Sequence, residues 1–310
     1  MVLTVTINPA VDKTYIIENF KAFSINRAQR IIYNAGSNGI NVSRVLKQVS
    51  QDSLVLGFVG GRNGKVLLSE LAADGIKEDL VHVEGDIRLN VKIMDLATHG
   101  TTEVNEPGNP VSNKEYEEFI EKYKKNLEKS KAVVLSGSIL PEMNRREYYE
   151  LVRIAKNRGK TTFLDCEGSL MRAGLEAGPT YIKPSYREFC DLLGRDEMTE
   201  EEIIKEAKNI INKYDVKYVV VSRSEKGSIG VSAEETYVVT PPNIDVLSTV
   251  GAGDAYMAGL CHGCLSGFNF RTQLVLATSF ASAKITKEGN NIPSLVELLG
   301  YADGCNVEQK

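Results

Sequence analysis

The sequence lacks most features that would mark a specialised class of protein. It has no excess of basic charge: 37 Lys and Arg stand against 41 Asp and Glu, a net charge of −4. A general nucleic-acid binder needs a basic surface, so that class is excluded. An anionic small molecule held by a few local cations remains open. No apolar run is long enough to span a bilayer, so no membrane contact is expected. The opening residues, MVLTVTINPAVDK, carry neither a basic leader nor a small-residue cleavage site, and the expected location is the cytoplasm. The five cysteines (Cys166, Cys190, Cys261, Cys264, Cys305) are odd in number and scattered, which reads as reduced thiols and not a disulfide framework. No internal repeat, low-complexity tract or Pro/Ser-rich linker divides the chain. What is present is globular composition, 42% hydrophobic and 25% charged. At 310 residues the chain can hold two domains or one large α/β unit with an elaboration. Such a chain buries a sizeable core without disulfides or a structural metal.

Strand and helix patterns alternate. Strands are expected at 2–7, 53–59, 132–135, 161–164 and 217–221. Helices are expected at 41–49, 65–73, 115–127, 146–158 and 199–214. Apolar strands alternating with helices imply a mostly parallel sheet covered on both faces. Residues 13–33 and 87–106 break the rhythm. The first reads as short strands around Thr14–Ile17 and Arg27–Tyr33, the second as Ile87–Leu96 and Thr102–Glu106 with a hairpin turn at His99-Gly100. Arg88, Asn90 and Lys92 then share one face, and Leu89, Val91 and Ile93 the other. The expected organisation is an α/β body (1–12, 34–86, 107–310) under a small β lid (13–33, 87–106). The polar tail after Gly300 is expected to be loosely ordered.

The strongest chemical signal is Ser248-Thr-Val-Gly-Ala-Gly-Asp254 ahead of a helical stretch. Gly251, Ala252 and Gly253 can converge their N–H groups at a helix start, an anion site suited to a phosphoryl group in transit. Asp254 would stand beside them, able to take the proton of an attacking hydroxyl. Alone, the same tetrapeptide reads equally as a tight turn with a favourable acid. Gly60–Lys65 (GGRNGK) is one residue short of a P-loop, with Val66 where a hydroxyl is required. A dinucleotide fingerprint needs a third glycine and an early position, so a dehydrogenase is not expected. Cys261-His262-Gly263-Cys264 lacks a second cysteine pair and reads as helix packing, not a zinc site. His82 and His99 are expected in loops, and the scattered tyrosines in the core or at its rim.

Taken together, TVTINPAVDKT (4–14), NAGSNGINVSRVL (34–46), GFVGGRNG (57–64), VLSGSILP (134–141), YIKPSYREF (181–189) and STVGAGDAYMAG (248–259) occur in a telling order. The chain resembles the ribokinase-like (PfkB) family of sugar kinases, nearest its 1-phosphofructokinase and tagatose-6-phosphate kinase branch. The resemblance runs from residue 2 to about residue 296. It implies a three-layer α/β/α fold, ATP and Mg²⁺ as cosubstrate and metal, and a ketohexose phosphate as acceptor. It implies Asp254 as base and Gly251, Ala252 and Gly253 as anion hole. It places Asp12, Gly36, Ser37, Asn41 and Ser138 on the sugar, and Arg27 and Arg88 on its phosphate, a task suited to arginine's paired donors. Lys183, Ser185, Ser222 and Gly227 fall on the nucleotide side, with Glu188 near the metal. Three stretches depart from the branch: GSNG (36–39) for G-G-K-G, KPS (183–185) for K-P-N, and SRS (222–224) for S-L-G. The lost lysine leaves Arg223 or another cation to replace it, or nucleotide use altered, or activity weak. The apolar outer face of the lid also suits pairing about a two-fold axis, hence a homodimer.

Overall fold

The computed structural model describes residues 1–98, 100–289 and 291–310. Along the chain, β1 (Val2–Thr6) leads into β2 (Ala10–Ile17), β3 (Arg30–Gly36) and α1 (Asn38–Gln48). Then follow β4 (Ser53–Gly60), α2 (Gly61–Ala73), β5 (Val81–Val83), β6 (Arg88–Asp95) and β7 (Thr101–Asn105). Next come α3 (Asn113–Lys129), β8 (Ala132–Ser136), α4 (Glu147–Lys156), β9 (Thr161–Asp165), α5 (Gly168–Leu175) and β10 (Tyr181–Ile182). The last part holds α6 (Tyr186–Leu193), α7 (Glu200–Tyr214), β11 (Tyr218–Ser222), β12 (Ser228–Val231) and β13 (Thr236–Thr240). It ends with α8 (Ala252–Leu265), α9 (Phe270–Ile285), α10 (Leu295–Leu299) and β14 (Asn306–Gln309).

Two sheets form. The large one runs β14-β13-β12-β11-β10-β9-β8-β1-β4-β5; it is parallel from β5 to β11, and β12 to β14 add antiparallel. Its central strands are largely apolar because both faces are covered, whereas the edge strand β14 is polar and mostly exposed. In β8, Val133 and Leu135 face a core built with α3 to α7, whereas Ala132 and Val134 face α1, α8 and α9 on the other side. This is the three-layer α/β fold that the sequence implied. The chain leaves β1 toward β4 on one side and returns beside it at β8, so strand order reverses there. Ligands of parallel sheets collect at the carboxyl ends of strands at such a point.

The small sheet runs β3-β2-β6-β7. Its register sets Asp12 opposite both Asn34 and Asn90. With a side-chain period of two, Asp12, Arg88, Asn90 and Lys92 share one face. Exposed Ile31, Tyr33 and Val104 stand with Tyr15 on the other.

Several expectations are corrected. Arg27 is not in a strand: β3 starts at Arg30, and Arg27 lies in the exposed segment before it. The tail after Gly300 is ordered, because β14 pairs with β13 from Asn306↔Thr240 to Gln309↔Tyr237. His82 lies in β5, not in a loop. The hairpin turn expected at His99-Gly100 involves His99, which lies outside the described residues. The GGRNG stretch forms the start of α2, whose first residue Gly61 has φ 68°.

Candidate active site

The carboxyl ends of the parallel strands supply the site. β1 leads to Asn8 and, through β2, to Asp12. β8 leads to Gly137 and Ser138, β9 ends at Asp165, β10 leads to Lys183, and β11 ends at Ser222. The turn before α8 faces these ends.

Gly251 is the N-cap of α8, at φ 76° in the left-handed region where glycine bears no Cβ penalty. The Ala252 N–H donates to Thr249 O at 3.2 Å. Among the described residues, the N–H groups of Gly251, Gly253 and Asp254 have no backbone acceptor. The amides open to an anion are therefore those of 251, 253 and 254, reinforced by the positive end of the helix.

Asp254 follows in the first turn, 8% exposed. Asn41 Nδ2 donates to its Oδ2 at 2.8 Å. Asn41 is in turn oriented by Arg44, whose Nη1 donates to Asn41 Oδ1 at 3.2 Å and whose Nε pairs with Asp74 at 2.7 Å. Burial pushes the Asp254 carboxyl up to about 7; the Asn41 bond and the ammoniums of Lys183 and Lys284 oppose that rise. A carboxyl titrating near neutrality is suited to proton abstraction.

The small sheet carries a second polar cluster. Asp12 accepts from Asn90 Nδ2 at 2.9 Å and lies 3.2 Å from Lys92 Nζ. A Cβ on Gly36 would stand only 2.8 Å from the Asp12 carboxylate, so glycine permits this approach. Asn8 joins the cluster to the large sheet: its Nδ2 donates to Pro107 O, Ser138 Oγ and Ile139 O, while Arg88 Nε donates to Asn8 O at 3.2 Å. Asn8 Oδ1 is buried without a hydrogen-bond partner. Burial pushes the Arg88 guanidinium down, and the Asp12 charge counters this. Among the described residues its terminal nitrogens have no protein acceptor, which leaves a forked donor free for an anion. Ser37 occupies φ 144°, a strained value for a residue other than glycine, and its Oγ accepts the Ala10 N–H at 3.1 Å.

On the other side, Lys183 is 4% exposed and pairs with Asp165 at 3.2 Å. A Cβ on Gly253 would lie 3.8 Å from Lys183 Nζ. Ser185 bridges to Ser222 in parallel, and Ser222 N donates to Pro184 O, which aligns these two loops. Ser185 and Glu188 form the capping box of α6: Ser185 N donates to Glu188 Oε2 at 2.7 Å and Glu188 N to Ser185 Oγ at 3.3 Å. Gly227, at φ 76°, closes the turn after β11, where Arg223 N donates to its carbonyl.

The pfkB family carbohydrate kinase profile matches residues 4–297. A Thermotoga maritima protein provisionally named 1-phosphofructokinase is 32% identical over 100% of this chain and 99% of its own, with a TM-score of 0.89. This chain belongs to the pfkB family of carbohydrate kinases. A Staphylococcus aureus protein provisionally named phosphofructokinase is 27% identical, with 100% and 99% coverage and a TM-score of 0.85. The phosphofructokinase-2 of Escherichia coli, solved in complex with potassium, shares the fold at 23% identity, with a TM-score of 0.91 over 98% of each chain.

In this kinase the structure brings Asp254, Gly251, Gly253 and Asn41 together at the α8 turn. It joins Asp12, Gly36, Arg88 and Ser138 through Asn8 and the small sheet, and Ser185 with Ser222. Arg27 has no ion pair among the described residues and joins neither cluster. Arg223, the sequence's candidate to replace the missing lysine, is paired with Glu200 at 2.9 Å. Sequence reasoning passed over Asn8, Arg44, Asp165 and Lys284. Asp165 ends a strand and Asn8 follows one, positions that signal a site in a parallel sheet. Arg44 and Lys284 lie on helices and carry no such local signal.

The residues also fit a Mg²⁺ that arrives on nucleotide phosphates. No group of three or more metal-ligating side chains exists among the described residues. A Mg²⁺ held by one or two carboxylates plus phosphate oxygens needs no such cage. Glu188 offers its second oxygen for that purpose.

Proposed function

We propose that this kinase transfers the γ-phosphoryl group of ATP to a ketohexose phosphate, with fructose 1-phosphate ahead of tagatose 6-phosphate. One observation carries the reading: a buried, poised Asp254 stands beside unpaired amides at a helix start, with the Asp12–Arg88 cluster supplying a second, cationic anchor. The acceptor hydroxyl, C6 for fructose 1-phosphate, attacks the γ-phosphorus in line. Asp254, oriented by Asn41, takes the hydroxyl proton. The N–H groups of Gly251 and Gly253 receive charge on the transferring group, and Ala252 sets the turn. Positioning and electrostatics supply most of the catalysis in phosphoryl transfer. A Mg²⁺ bound with the nucleotide would neutralise phosphate charge, and Glu188 is the carboxylate that would help hold it.

Asp12 holds sugar hydroxyls; Gly36, Ser37 and Asn41 shape the floor beneath them, and Ser138 lines the wall. Arg88 grips the existing phosphate of the acceptor, and closure of the lid brings Arg27 in from the exposed segment as a further cation. Lys183, Ser185, Ser222 and Gly227 border the nucleotide. Residues 13–33 and 87–106 act as a lid that closes over the sugar and limits ATP hydrolysis by water. The exposed apolar face of Ile31, Tyr33 and Val104 supports a homodimer through this lid, which sedimentation velocity tests. The cytoplasm is the expected compartment; no helix of the described residues is long and apolar enough to cross a membrane.

A coupled assay for ADP release tests the reading over a panel of sugar phosphates and nucleotides, with Asp254→Ala as control. The expected result is turnover with fructose 1-phosphate that vanishes in the control. The pairing of Arg223 with Glu200 favours a second reading, a weakly active or non-catalytic binder of sugar phosphates. Binding of fructose 1-phosphate without turnover on any nucleotide would establish it. Failure to bind any phosphorylated sugar would sink both.

A further inference from the structure

A buried lysine lies behind the phosphoryl turn. Lys284 stands in the last turn of α9, 2% exposed. Its Nζ donates to Gly289 O at 2.7 Å, in the loop after the helix. A Cβ placed on Gly251 would lie 3.2 Å from Lys284 Cε, 3.9 Å from its Nζ and 4.0 Å from Asp254 Oδ2. Ammonium and carboxylate therefore flank the same residue of the anion-binding turn. The surrounding backbone is tied together as well: Leu247 N and Ser248 N donate to Ile285 O at 2.8 and 3.2 Å.

The two lysines near this turn differ. Lys183 is compensated by Asp165 at 3.2 Å. Lys284 has no carboxylate within ion-pair distance among the described residues; its bonded partner is a main-chain carbonyl. Burying an ammonium without a counter-charge is costly. Burial duly pushes Lys284 down to about 8, against the pull of Asp254. A transferring phosphoryl group, arriving at the turn with negative charge, would supply the missing partner. In a water-poor site a fixed charge acts strongly and needs no reorganisation.

We propose that Lys284 is a built-in monovalent cation for the transfer step. Its ammonium clamps Gly289 and the Gly251 turn together and keeps positive charge behind the amides that receive the phosphoryl group. It is a positioning residue: it stands behind the turn, and its charge is felt there without its touching the substrate. This inference rests on the reading of residues 251–254 as the transfer centre.

The test begins with the unmodified enzyme. Its rate should stay within about twofold when sodium, potassium and tetramethylammonium chlorides are exchanged at equal ionic strength, since exposed charge effects are then constant. Lys284→Ala should lower kcat about tenfold to a hundredfold, with both KM values near the original. Potassium or methylammonium ions should restore a substantial part of that loss by entering the vacated space. Lys284→Met, which fills the space, should be as slow and resist rescue. Thermal melts establish that each variant is folded; if neither folds, the cation series on the unmodified enzyme decides. The proposal is overturned if potassium stimulates that enzyme manyfold, if Lys284→Ala keeps full activity, or if folded Lys284→Ala is slow and no cation rescues it. Asp254→Asn separates the two levels. Full activity there would break the transfer-centre reading itself, whereas inactivity there with normal Lys284 variants would break this inference alone.

Discussion

Asp12 and Asp254 are the same residue type at the same burial, each 8% exposed, yet their surroundings prepare them for different work. Asp12 sits on the small sheet with the Lys92 ammonium at 3.2 Å and the Asn90 amide at 2.9 Å. Its charge is matched, which suits a fixed acceptor of sugar hydroxyls. Asp254 has a neutral amide as its hydrogen-bonded partner, and burial lifts its carboxyl to about 7. Its charge is only partly matched, which suits a group that must bind and release a proton. Burial alone does not tell a binder from a base; the partner does.

The largest effect that can break this contrast is on turnover. Asp254→Asn should lower kcat by about 10²–10⁴ with a smaller change in KM, measured by steady-state ADP release. Near-normal turnover would remove Asp254 from the role of base. Asp12→Asn should act chiefly through binding, with kcat/KM for the sugar phosphate down about tenfold to a hundredfold. If both substitutions depressed kcat alike, with KM unmoved, the contrast would fail. Arg88→Met should raise KM for the sugar phosphate by a similar about tenfold to a hundredfold factor and leave KM for ATP nearly unchanged. An equal rise in both would place Arg88 on the nucleotide.

The pH profile sharpens the comparison further. A base must be ionised, so kcat/KM should rise with pH and level off above about 7, the value at Asp254. A rate already flat from pH 5 upward would show that its ionisation does not limit catalysis.

The smallest effect is on stability. The folded-state value of Asp254 lies above that of an unfolded aspartate. Its contribution is therefore present at low pH and lost as pH rises through about 7. Asp254→Asn removes that loss, so its melting temperature should exceed that of the original chain, and by more at pH 8 than at pH 5. A lower melting temperature at pH 8 would show that the carboxylate is stabilised in the fold.

Much of this was legible along the chain. Apolar strands between amphipathic helices gave the parallel sheet, because strands buried on both faces must be apolar. The alternation at Arg88, Asn90 and Lys92 gave the polar face of the small sheet, because the side-chain period of a strand is two. The glycines before Asp254 gave the helix start. Less was legible where meaning depended on a distant partner. Ser185 and Glu188 read as nucleotide and metal residues, and the fold uses them first as a helix cap. Arg223 read as a spare cation, but Glu200, 23 positions earlier, takes it up. The tail read as loose because it is polar, yet it is an edge strand, which needs backbone pairing and not apolar side chains.

The sequence by itself determined the layers of the fold, the polar face of the small sheet and the turn that ends in Asp254, because each follows from local periodicity and backbone freedom. Only the tertiary structure decided which charges are matched. Asn41 and Asp254 are 213 residues apart, and Asn90 and Asp12 are 78 apart. Electrostatic energy depends on distance in space and on exclusion of water, and neither is written in the order of the residues.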